Sequence, residues 1–237
     1  KGFADYILFI DRQAVGAIEA KAEGMLLSQA AEQDDKYILT LPEKIPHVKD
    51  PLPFAYESTG IETYFRDTRD PNTRSRRIFA FHKPETLHEM LKNDKTLRNR
   101  LKELPSLIKD RLRECQVEAI KNLENSLSES KPRAIIQMAT GAGKTFMAVN
   151  LIYRLIKFAG AKRVLFLVDR NNLGRQTKLE FQQFETPDDH RKFTDLYNIQ
   201  HLTSNTIDPV CKVTITTIQR LFSMLKGDKD YDPELDE

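Results

Sequence analysis

The seven residues Ala139–Thr145, ATGAGKT, constrain this chain more than any other short run in it. Gly141 and Gly143 permit a tight turn whose backbone amides close around an anion, and Lys144 and Thr145 place an ammonium and a hydroxyl at its end. That combination suits a nucleotide, because the Lys reaches the β and γ phosphates and the hydroxyl holds their Mg²⁺. Such a loop works where a strand delivers it to the amino end of a helix, whose dipole and unpaired N–H groups face the same phosphates. The flanks comply: RAIIQMA (133–139) reads as a strand and TFMAVNLIYRLIKFA (145–159) as a helix. Thr140, Gly141, Ala142, Gly143, Lys144 and Thr145 are therefore the expected cofactor-binding residues, with Thr145 also a metal ligand.

The alternation continues with a strand RVLFLVD (163–169), a helix around 171–184 and a strand KVTITTI (212–218), which predicts a parallel sheet with helices on its faces. The first hundred residues read differently. DYILFID (5–11) and AIEAK (17–21) form a hairpin with RQAVG as its turn, Leu26 to Leu39 follows as a helix, and four prolines between 42 and 53 impose an extended path. Charged helical stretches near 85–100 and 113–129 lead into the loop-bearing part. The resulting division is a first domain over 1–88, a connection over 89–112 and a second domain over 113–237.

With 40% hydrophobic and 30% charged residues the composition is that of a globular protein, and no apolar run approaches the roughly 18 residues that span a bilayer, so no membrane association is expected. Cys115 and Cys211 have no metal-ligand spacing and read as free thiols of a reducing cytoplasm. The opening KGFADYILFI has no Met and lacks the pattern of a secretory signal, so the start reads as a cut. Net charge is only +2, but residues 1–65 carry 6 Lys or Arg against 11 Asp or Glu, whereas 66–113 carry 14 against 7. A basic segment beside a phosphate loop points to nucleic acid, since phosphate neutralisation supplies most non-specific affinity. Within it Arg66, Arg69, Arg74, Arg76 and Arg77 either touch DNA or dock one domain on the other, with Asp67 and Asp70 available for local ion pairs.

The hairpin holds a second constellation. Adjacent strands bring Asp5 and Glu19 to one strand end, where two carboxylates form a hard-oxygen site for Mg²⁺, with the Ala20 carbonyl as a further ligand. Lys21, two residues on, points to the same face and can polarise a phosphate or orient water. Asp11 is the rival carboxylate and is assigned to the turn.

Three resemblances follow from these residues. The loop departs from the generic G-x-x-x-x-G-K-[ST] motif at Met138 and instead resembles the A-T-G-x-G-K-T form of superfamily 2 helicases and translocases, which implies ATP as the nucleotide. LRECQVEAI (112–120) is similar to their adenine-reading motif, with Gln116 as the reader, while VLFLVDRNNLGRQ (164–176) and VTITTIQRL (213–221) resemble the motifs that line the nucleic-acid backbone, where Thr216 and Thr217 offer hydroxyls. Asp5, Glu19 and Lys21 resemble a PD-(D/E)xK nuclease site, with Ala4 in the Pro position, and Gln33 and Tyr37 match its accompanying Q-x-x-x-Y on one helical face. Together these resemble the restriction (R, motor) subunit of type I restriction-modification enzymes over essentially the whole chain.

The fold implied is α/β: a truncated restriction-endonuclease-like PD-(D/E)xK domain, its first helix lying before Lys1, followed by a RecA-like parallel-sheet P-loop domain. The family implies Asp5, Glu19, Lys21, Gln33 and Tyr37 as catalytic residues, ATP and Mg²⁺ as cofactors, and double-stranded DNA with methylation and specificity subunits as partners. The 237 residues contain no apolar strand ending in D-E-x-H, the terminal ELDE included, nor a second lobe to supply an Arg finger. Weak nucleotide binding without efficient hydrolysis is the expectation. The alternatives are a superfamily 2 repair helicase or remodeller whose front domain binds DNA without cutting it, and a scaffold in which both sites are degenerate.

Overall fold

The computed structural model describes residues 5–24, 41, 42, 44–131 and 133–227. Ala4, the Leu26–Leu39 helix with Gln33 and Tyr37, and the terminal ELDE lie outside the described residues. The chain forms two compact units, residues 1–99 and 100–237.

In the first unit β1 (Tyr6–Ile10) and β2 (Gln13–Ala20) pair antiparallel around Asp11 and Arg12, whose φ angles are 49° and 66°. Two positive-φ residues make the tight hairpin turn whose twist matches right-handed strands. The turn read over RQAVG is thus too long: only Arg12 of that run belongs to it, and Ala14, Val15 and Ala17 are buried strand. β3 (Phe54–Ser58), β4 (Thr63–Asp67) and β5 (Arg76–Ile78) complete a sheet of order β1-β2-β3-β4-β5, in which β2 and β3 are parallel and the other neighbours antiparallel. Gly16 permits the close approach of β2 to β3, because a Cβ there would stand 2.5 Å from the Phe54 carbonyl oxygen.

One face of this sheet packs Val15, Phe54, Tyr56 and Phe65 against Leu87 of α1 (Pro84–Leu91), which starts on Pro84 with its φ preset for a helix. The other face carries the small residues Ala14 and Ala55 with Leu52. Three arginines of the Arg-rich turn are engaged locally. Arg69 grips both oxygens of Asp67 at 2.9 and 2.7 Å, Arg76 and Arg98 lie 2.7 and 3.5 Å from Asp70, and Arg77 lies 3.0 Å from Glu62.

α2 (Leu97–Lys102) spans the division of the chain; the helical run read over 85–100 breaks before it, at Asn93–Thr96. The second unit continues with α3 (Glu114–Ser128), α4 (Lys144–Lys157), β6 (Val164–Val168), α5 (Asn171–Gln183), α6 (Phe193–Leu196), β7 (Ile199–His201), β8 (Val213–Thr217) and α7 (Ile218–Lys226). Its described sheet has the order β6-β8-β7, parallel throughout, with all five residues of β8 buried. The strand expected over 133–139 is not formed. Ile136 and Met138 pack with Ile120, Met147 and Leu151 between α3 and α4, while Ile135 is 97% exposed. Strand propensity becomes a strand only by pairing, and this run buries its alternate apolar residues against helices instead. β6 remains an edge strand, with Leu165 and Leu167 turned outward.

α4 is the spine. One side carries Val149, Ile152, Tyr153 and Ile156 into a core with Phe181, Phe184, Phe193, Val213 and Ile215, and the other side meets α3. Two polar ties fix it. Buried Arg154 is held by Glu124 of α3 at 2.6 and 3.2 Å and by the Pro105 carbonyl at 2.8 Å. At its carboxyl end Tyr153 donates to Asp188 at 2.5 Å and Lys157 lies 2.5 Å from the other oxygen. Burial alone would raise the Asp188 carboxyl, but the Lys157 ammonium and Tyr153 hydroxyl outweigh it and hold it below its ordinary 3.8. Burial, reinforced by the Asp188 bond, pushes the Tyr153 phenol up to about 12.

Both cysteines are free thiols, and among the described residues no helix is long and apolar enough to cross a membrane. Two stability measurements follow from α4. Glu124→Ala leaves a buried guanidinium unpaired and is expected to destabilise the second unit by about 3–5 kcal/mol in urea unfolding, while removing both charges as Glu124→Leu with Arg154→Met costs less. Asp188→Asn is expected to cost about 2 kcal/mol at neutral pH. Because the folded Asp188 value lies below the unfolded one, that contribution is complete above the unfolded value and fades as pH falls through the folded one, so the difference in Tm between wild type and variant should shrink as the solution is acidified below about pH 4.

Candidate functional site

The glycine loop expected to hold phosphates stands at the amino end of α4. Gly141 and Gly143 have φ of 77° and 75°, and Gly143 is the residue that caps the helix. A side chain at Gly143 is excluded twice, by this left-handed backbone and because its Cβ would lie 2.4 Å from Gln116 Nε2. The first N–H groups of α4, which have no partner within the helix, are aimed where an anion would sit. Thr140, Gly141 and Lys144 are exposed, and Ala142, Gly143 and Thr145 are half-buried. Lys144 Nζ donates to the Met138 and Ala139 carbonyls at 3.3 and 3.1 Å, two neutral contacts that a charged phosphate oxygen would displace.

Gln116 is buried and ties α3 to this loop. Its Nε2 donates to the Ala142 and Gly143 carbonyls at 2.9 and 3.1 Å, and its Oε1 accepts from the Arg113 amide at 2.9 Å, capping α3. Both ends of the amide expected to read adenine are therefore engaged with the protein. Arg113, which the motif reading passed over, donates through Nη1 to the Gly141 carbonyl at 2.9 Å. Thr217 accepts from the Arg220 amide at 3.0 Å and so caps α7, and Thr216 is fully buried. Gly174 lets α5 close on β7, since a Cβ there would stand 2.6 Å from His201 Nε2. Burial lowers the His201 pKa, and Lys178 and Arg175 lower it further.

In the first unit, Tyr6 pairs with Ile18, which sets Asp5 opposite Glu19, and Asp5 Oδ2 accepts from the Ala20 amide at 2.7 Å. Lys21 Nζ lies 2.5 Å from Glu19 Oε1. Asp5, Glu19 and Lys21 thus meet at one strand end, as their spacing predicts. Among the described residues no group of three or more His, Cys, Asp or Glu side chains is arranged to hold a metal ion. The sequence reading missed Glu57. It is the β3 partner of Glu19 in the parallel register, is 2% exposed, and among the described residues accepts a long 3.4 Å bond from Ser75 at one oxygen. Nothing in YESTG marks this residue, because the register that brings it beside Glu19 is a tertiary property.

Residues 109–236 match the family described as "Type III restriction enzyme, res subunit". The chain belongs to this family. It is 26% identical over 261 aligned positions to the "Type I restriction enzyme EcoKI endonuclease subunit" of Escherichia coli (strain K12), an alignment covering 93% of this chain and 22% of that one. It is 36% identical over 107 positions to the EcoAI endonuclease subunit of Escherichia coli, covering 45% of this chain and 12% of that protein. The chain therefore spans about a fifth or less of the length of these relatives. A solved fragment described as an HsdR subunit of a type I restriction enzyme from Vibrio vulnificus YJ016 aligns with 95% of this chain and 39% of its own at 22% identity, with a TM-score of 0.38.

The tie between Gln116 and the loop is testable. Gln116→Ala is expected to destabilise the second unit by about 1–3 kcal/mol, through two unmet carbonyls and a lost cap, and to speed amide exchange at 142–145 relative to the rest of α4.

Proposed function

We propose that this chain is a piece of the DNA-translocating and DNA-cleaving subunit of a type I restriction enzyme. The observation that carries the reading is that one relative, the EcoKI endonuclease subunit, aligns with 93% of the chain and hence with both units, whereas the restriction-family match lies over 109–236 alone. The second unit is a RecA-like lobe whose loop binds ATP. The first is a PD-(D/E)xK nuclease, and double-stranded DNA with methylation and specificity subunits are its partners.

The residues present fit the groups they would hold. Positive-φ glycines and the amino end of α4 suit a triphosphate, with Lys144 on its phosphates and Thr145 on Mg²⁺. Asp5 and Glu19 supply hard oxygen ligands at one strand end, and Glu19 Oε2 is buried without a donor. A divalent ion there would polarise the scissile phosphate and acidify an attacking water. Lys21, already within reach of Glu19, orients that water or the phosphate oxygen. Gln33 and Tyr37 belong to the same proposal.

The two sites are tested separately. The 237-residue chain is expected to bind a fluorescent ATP analogue weakly, to lose that binding in Lys144→Ala, and to show no efficient turnover; steady hydrolysis abolished by Lys144→Ala would contradict the incomplete-motor reading. Nicking of supercoiled plasmid that requires Mg²⁺ or Mn²⁺ and disappears in Glu19→Ala supports the nuclease. Metal-independent DNA binding that Glu19→Ala leaves intact, with no nicking in any protein, favours the non-cleaving remodeller instead.

A further inference from the structure

Among the described residues, two buried carboxylate oxygens have no hydrogen-bond partner: Glu19 Oε2 and Glu57 Oε2. They belong to register partners on the parallel strands β2 and β3, so both side chains leave the same face from backbones about 4.8 Å apart. Glu57 is 2% exposed, and among the described residues the Ser75 hydroxyl, 3.4 Å away, donates to its other oxygen. Glu19 is likewise half-served, with Lys21 on Oε1. Buried carboxylates are ordinarily saturated by donors, since an unmet oxygen keeps its desolvation cost. Two adjacent acceptor-only atoms on one face are a place for a group with positive charge and no lone pairs.

We propose that Glu57 is a further ligand of the divalent cation that Glu19 binds, so that the two carboxylates hold one hard metal between β2 and β3. This inference rests on the nuclease reading of Asp5, Glu19 and Lys21. Mg²⁺ and Mn²⁺ suit the site, because such ions are held by one or two carboxylates and keep water in their remaining positions. Arg66 lies on the same face of β4, diagonal to Glu57 in the antiparallel register, and adds positive charge that suits a phosphate brought to the metal. The sheet geometry also assigns distinct duties. Asp5 is tied to the Ala20 amide at the outer side of Glu19, and Glu57 closes the inner side.

Mn²⁺ is the probe, titrated into the 237-residue chain and followed by loss of the free-ion paramagnetic resonance signal, with thermal melts of each protein in metal and in chelator. Wild type is expected to bind, and Glu57→Gln to bind roughly 10- to 100-fold more weakly, as Glu19→Gln does. In chelator Glu57→Gln is expected to melt no lower than wild type, because it removes an uncompensated buried charge, while its Mn²⁺-induced rise in Tm is lost. Wild-type Mn²⁺ affinity in Glu57→Gln alongside lost affinity in Glu19→Gln and Asp5→Asn overturns the inference and leaves the nuclease reading standing. A Glu57→Gln protein that unfolds or melts lower in chelator makes Glu57 a structural group and also overturns it. Wild type that binds Mn²⁺ no better than Glu19→Gln removes the nuclease reading together with the inference.

Discussion

A glycine loop can hold an anion only if the helix behind it does not yield, and α4 is the most firmly tied element of the second unit. The helix is apolar on two sides, so the sheet core and α3 clamp it between them. Its carboxyl half is pinned by Arg154 and by the Tyr153, Lys157 and Asp188 cluster, and its amino end by Gln116. These ties hold it at both ends. Oriented amides cost no reorganisation when charge arrives, which is what a rigid scaffold contributes to phosphate binding.

The first unit reaches a charged site by another route. A sheet whose centre is buried on both faces has little room for polar groups, and Gly16 shows how tightly β2 and β3 are drawn together. Where the apolar residues of one face stop, the backbone register places Asp5 and Glu57 at the positions flanking Glu19. Strand ends are where carboxylates can gather while their backbones stay hydrogen-bonded. Within the basic turn, Arg69 and Arg76 are paired with Asp67 and Asp70, the local ion pairs that the sequence makes available.

Local signals proved readable and pairing did not. The helix after ATGAGKT, the strands VLFLV and VTITT, and the hairpin with Asp5 near Glu19 all follow from short-range periodicity and spacing. The parallel match of β2 to β3 joins residues far apart in the chain, so Glu57 had no local mark. The run RAIIQMA shows the reverse error, because its strand propensity was real but its apolar residues found helices before they found a sheet. Gln116 was singled out for a ligand's base, yet its amide is taken by Ala142, Gly143 and Arg113, a competition that only three-dimensional proximity reveals.

The outward edge of β6 has a consequence for how this polypeptide behaves in company. Leu165 and Leu167 are each 46% exposed on a strand that, among the described residues, stands at the margin of a three-stranded parallel sheet. An open margin lined with leucine is a template for any extended segment, whether it comes from the same molecule or another. An edge of this kind favours edge-to-edge association between copies as concentration rises, unless another strand is laid against it.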